Sequence, residues 1–97
     1  MVDVVARDIY GSTESGVVQD YVQLQATYPN KMITLGECGW ANNGSTPFPG
    51  IDGVWKAGGT WSWFMPWCIG NFTMVSEQWW KDAFASEYVL TRDDISL

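Results

Sequence analysis

Three times along this chain a run of β-branched or aromatic residues gives way to apolar residues at helical spacing, and that repeated strand–helix order is its strongest constraint. The first run, Val2-Asp3-Val4-Val5-Ala6-Arg7-Asp8-Ile9-Tyr10, stops at the turn Gly11-Ser12-Thr13. Thr13 is placed to cap a helix in which Val17, Tyr21, Leu24 and Tyr28 form one stripe, and Pro29-Asn30 ends it. The second run, from Lys31 to Glu37, is apolar or small on both faces and predicts a strand covered on both sides. A Gly-, Asn- and Pro-rich loop follows, then a short helical stripe of Ile51, Val54 and Trp55 closed by Gly58-Gly59. The third run is Thr60 to Trp67, where Pro66 cannot donate to a ladder and marks the strand's end. Ser76 then opens a helix carrying Trp79, Trp80, Ala83 and Phe84.

Consecutive βα units imply parallel strands with helices packed against them, because parallel neighbours need crossovers of this length. The predicted fold class is therefore α/β, with strands at about 2–10, 31–37 and 60–67. Three strands are few, and neither edge strand carries the inward charges or several prolines that blunt a free edge. Residues 1–97 accordingly read as a single partial domain, one piece of a larger sheet or assembly.

Composition narrows the function. Lys+Arg 5 against Asp+Glu 11 gives a net charge of −6, which excludes nucleic acid and an anionic membrane surface as partners. With His 0, the chain has no Ser–His or Cys–His pair and no imidazole metal ligand, so acid–base chemistry falls to carboxylates. No metal or cofactor is implied. The two cysteines, Cys38 and Cys68, follow the ends of adjacent strands; two small buried thiols are the plain expectation and one bridge the alternative. No segment approaches the ~20 apolar residues of a membrane span, and the N-terminus has no signal-peptide character. The 7 Trp in so short a chain call for large pockets or flat stacking surfaces.

Strict alternation places Ala6, Asp8 and Tyr10 on one face of the first strand, Ile33, Leu35 and Glu37 on one face of the second, and Trp63, Met65 and Trp67 on one face of the third. Tyr10, Glu37 and Trp67 then close the carboxyl ends of neighbouring strands, where parallel α/β proteins gather ligand-binding residues. A phenol, a carboxylate and an indole face suit a sugar: the indole stacks on the ring and the carboxylate acts at the anomeric carbon. The plainer reading makes Glu37 an acceptor for the following loop and Tyr10 and Trp67 core aromatics. Asp8, a carboxylate in a covered strand, must be paired or functional. Trp55, Trp61, Trp79 and Trp80 read as helix–sheet packing.

Asp8-Ile9-Tyr10, Tyr28 to Gly39, Trp61-Ser62-Trp63-Phe64-Met65-Pro66-Trp67 and Trp79 to Phe84 together resemble the last three βα units of glycoside hydrolase family 26, from Val2 to about Asp94. The resemblance implies the C-terminal part of a (β/α)₈ TIM barrel and a retaining endo-β-1,4-mannanase acting on β-mannan or a related plant polysaccharide. It implies Glu37 as the nucleophile, Tyr10 as the residue bonded to it, Asp8 as a nearby active-site carboxylate and Trp67 as the floor of the sugar site. Nothing matches the family's acid/base Glu or the His before it, so the chain carries the nucleophile half of a site and is expected to be inactive alone. Self-association, or pairing with the N-terminal barrel segment, follows from the unpaired strands, and the parent enzyme is expected to be secreted or periplasmic. The alternative function is a non-catalytic carbohydrate-binding or self-assembling module built on the same sheet.

Overall fold

Strand β1 (Val4–Tyr10), helix α1 (Glu14–Thr27) and strand β2 (Met32–Gly39) form the first unit, in a computed structural model that describes residues 3–69 and 72–94. Val2, at the start of the expected first strand, lies outside the described residues. Thr13 caps α1 as its sequence position predicts, its hydroxyl accepting from the Gly16 N–H at 3.1 Å. Val17 and Tyr21 are buried, but the expected stripe stops short of Tyr28, which leaves the helix at an extended φ of −127° and is 41% exposed. Helix α2 (Ile51–Lys56) leads to β3 (Phe64–Pro66), and the short β4 (Cys68–Ile69) and β5 (Phe72–Thr73) pair antiparallel before α3 (Glu77–Ala85). Ser76 caps α3 by accepting from the Trp79 N–H at 3.0 Å. Sequence reasoning did not predict the β4–β5 pair.

The sheet order is β1-β2-β3, all parallel, so β2 is central and β1 and β3 are its edges. Ile9 from β1, Ile33, Leu35 and Cys38 from β2 and Val17 from α1 share one core with α2 and α3. Trp61 and Trp79 are buried in that core, Trp80 packs against it, and Trp55 stacks on Tyr88 with ring centroids 5.5 Å apart. On the opposite face of the edge strands Ala6, Asp8, Trp63, Met65 and Trp67 are exposed. Cover on both sides therefore holds for Ile33, Thr34 and Leu35 of β2 but not for β1 or β3.

Two expectations are corrected by the ladder. The third strand is regular only over Phe64–Pro66 instead of 60–67, because Thr60 donates its hydroxyl to Tyr21 at 2.9 Å and Trp61 turns into the core. Pairing still extends to Ser62, whose N–H donates to the Ile33 carbonyl at 2.8 Å. In β2, strict alternation fails: Arg7 pairs with Leu35 but Asp8 pairs with Glu37, so Gly36 is an extra residue in the strand. Ile33 and Leu35 therefore face the helices, whereas Glu37 faces the other way with Asp8.

Candidate active site

Gly36 sits at this bulge, close against β1. A Cβ there would stand 3.0 Å from an Asp8 carboxylate oxygen and 3.1 Å from the Ala6 Cβ. The bulge turns Glu37 toward the β1 face that carries Asp8 and Tyr10, and the Tyr10 hydroxyl donates to Glu37 Oε2 at 2.5 Å. Both residues are partly buried. Burial first, then the hydrogen bond to the Glu37 carboxylate and that carboxylate's charge, push the Tyr10 pKa well above the ordinary phenol value, and the charge of Asp8 adds to this. Tyr10 thus stays a neutral donor at any working pH.

Asp8 is the direct cross-strand partner of Glu37 and is exposed, so it is not the enclosed carboxylate that a covered strand would have made it. Arg7, its neighbour, points to the helix side and approaches Asp20 at 4.0 Å. Trp67 is set beside the pair by the backbone: its N–H donates to the Cys38 carbonyl at 2.9 Å, carrying the β2–β3 pairing past Pro66. Its side chain is 38% exposed at the strand end. The structure therefore joins Tyr10 to Glu37, seats Asp8 opposite and Trp67 next to them at one end of the sheet.

Cys38 lies behind this site on the core face, fully buried, and burial pushes its thiol up to about 12 despite a hydrogen bond from the Met65 backbone. It is an inert thiol. Cys68 is exposed and both cysteines are free, which leaves no bridge and only one of the two in the expected buried state. At the last residue of β2, Gly39 lets the chain pass Met74: a Cβ on it would meet the Met74 Cβ at 2.6 Å. Sequence reasoning assigned no role to Gly36 or Gly39; a glycine inside a strand was the available signal.

No protein-family model matches the chain, and no curated protein does. Among solved structures, the GH26 domain of the endo-beta-mannanase/endo-beta-glucanase PbGH26-GH5A from Prevotella bryantii superposes with a TM-score of 0.86 at 42% identity, over 96% of this chain. In sequence and fold the chain matches a fragment of a glycoside hydrolase family 26 domain. It spans 26% of that GH26 structure and 13% of a second Prevotella bryantii structure, PbGH26A-GH5A, which matches 98% of the chain at 42% identity and a TM-score of 0.88. The parallel β1-β2-β3 sheet with its helices accordingly matches a segment of a family-26 TIM barrel. Among the described residues no cluster of side chains could hold a metal ion and no helix is long and apolar enough to cross a membrane.

Proposed function

We propose that this chain supplies the C-terminal three βα units of a retaining endo-β-1,4-mannanase and carries the nucleophile half of its active site. The observation that carries the proposal is the hydrogen bond from Tyr10 to Glu37 at the carboxyl end of adjacent parallel strands. Tyr10 fixes one Glu37 oxygen and leaves the other to attack the anomeric carbon, forming a glycosyl ester as the bond to the leaving oxygen breaks. Trp67 floors the sugar, and Asp8 takes a hydroxyl of the same residue.

Retention requires a second carboxyl about 5–5.5 Å away to protonate the leaving oxygen and then activate water. Asp8 stands on the same side of the site as Glu37, so it is a poor candidate for that work. The acid/base comes from the complementary barrel segment, and the isolated chain lacks activity. The substrate is β-mannan or a related plant polysaccharide, met outside the cytoplasm by a secreted or periplasmic parent. The Prevotella relatives, described as endo-beta-mannanase/endo-beta-glucanase, support that substrate class.

Co-expression with the five N-terminal units of a family-26 relative tests the proposal. Mannanase activity should appear, vanish in Glu37→Ala, and a fluorinated mannosyl inactivator should label Glu37. A label on Asp8, or on no residue of this segment, overturns the assignment.

A further inference from the structure

The backbone of Trp67 is held from two sides. Its N–H donates to the Cys38 carbonyl of β2, and its own carbonyl accepts the Met74 N–H, both at 2.9 Å. Met74 is in turn tied back to the end of β2, because its carbonyl accepts the Trp40 N–H at 2.9 Å. Three hydrogen bonds thus link Trp67, Met74 and the stretch from Cys38 to Trp40 into a ring, and Gly39 lies between the two groups by which that stretch closes it.

The ring leaves Gly39 no room for a side chain. A Cβ there would stand 2.6 Å from the Met74 Cβ and 2.9 Å from the Met74 carbonyl oxygen. That oxygen is backbone and is the acceptor for Trp40, so a side chain at Gly39 must displace the ring itself and not the far end of a flexible neighbour. On its other edge Gly39 pairs with Tyr10, and its carbonyl accepts the Gly11 N–H at 2.8 Å. One residue therefore has β1, with the Tyr10 that binds Glu37, on one side and the support of Trp67 on the other.

We infer that Gly39 is a positioning residue: by letting Met74 close against the end of β2, it holds the Trp67 backbone, and with it the indole, at a fixed place relative to the Glu37 carboxylate. The inference rests on the reading of Glu37 as nucleophile and Trp67 as the floor of the sugar site. The hydrogen bond from Tyr10 to Glu37 spans the opposite edge of β2 and does not pass through Met74. Displacing the ring should therefore move the floor and spare the nucleophile. A misplaced floor weakens ground-state and transition-state binding alike, so the loss falls on KM and not on kcat.

Two measurements test it: amide hydrogen exchange of the ¹⁵N-labelled chain, and mannan kinetics of the barrel reconstituted with the complementary segment. In Gly39→Ala the Trp40 and Met74 amides should exchange at least about tenfold faster, while Leu35, which donates to the Trp63 carbonyl, keeps its protection. In the barrel the same variant should raise KM about tenfold with kcat within about twofold. Adding Met74→Gly, which removes the Cβ at 2.6 Å, should bring KM part of the way back, a rescue that a general loss of stability would not show. Unchanged protection of both amides in Gly39→Ala overturns the inference whether or not the barrel is active. KM unchanged in Gly39→Ala while Trp67→Ala raises it also overturns the inference, and leaves the active-site reading standing; so does a loss confined to kcat. Trp67→Ala without effect on KM overturns the reading of Trp67 as the floor and the inference with it. Where Gly39→Ala alone does not assemble, the double variant is compared with Met74→Gly: a higher KM supports the inference and an equal one overturns it.

Discussion

Leu35 and Glu37 point to opposite faces of one strand because Gly36 between them is an extra residue in the ladder. Leu35 is completely buried against the helices, and Glu37 receives the Tyr10 hydroxyl on the other side. One bulge thus lets a strand that is core along its length present a carboxylate at its end.

Gly36 should therefore be intolerant of a side chain. Gly36→Val must displace Ala6 and Asp8, and overpacking of this kind costs about 1–3 kcal/mol. Urea unfolding followed by tryptophan fluorescence should show a lower midpoint with little change in slope, while Asn43→Gly, in an exposed turn, should leave the midpoint nearly unmoved.

In the reconstituted barrel, Tyr10→Phe should retain activity but lower kcat/KM by up to about 10²-fold, the scale expected for a misoriented reacting group. Glu37→Ala should leave no measurable turnover. Equal losses in the two variants would mean that Tyr10 does more than hold the carboxylate.

Cys38 gives a directional pH prediction. Its folded pKa, about 12, lies above the ordinary value of 9.0, so the thiol's contribution is fully present below about pH 9 and is lost as pH rises toward 12. Unfolding free energy should fall in that window with a component of at most about 1.4 kcal/mol per pH unit. Cys38→Ala should remove that component from the slope, whatever its effect on stability at pH 7.

The edges of the sheet should drive association. β1 and β3 have no outer neighbour among the described residues, and a groove of about 360 Å³ that includes Trp61, Trp63 and Phe64 runs along β3, with Leu90 70% exposed beside it. Light scattering coupled to gel filtration should find dimers or larger species of the isolated chain, shifting to a defined complex with the complementary barrel segment. A compact monomer at high concentration would contradict this.

Local chemistry in the sequence determined the elements: the Thr13 and Ser76 caps, the stripe of Val17 and Tyr21, the apolar run through Ile33 and Leu35, and the end of β3 at Pro66 all follow from spacing and side-chain type. The order of those elements dictated a parallel sheet, and the motifs around Tyr10, Glu37 and Trp67 pointed to the family and the strand ends. What the tertiary structure decided was parity and exposure. Strict alternation put Glu37 beside Leu35; the cross-strand register inserts Gly36, reverses the face, and brings Glu37 to Tyr10. Asp8 looked enclosed because its own strand is apolar, yet its exposure depends on what other strands cover. The groove lined by Trp40, Phe48 and Trp79 is walled by chain segments more than thirty residues apart. Propensity acts over a few neighbouring residues, whereas register, burial and a cleft depend on partners distant in the chain, which local spacing does not encode.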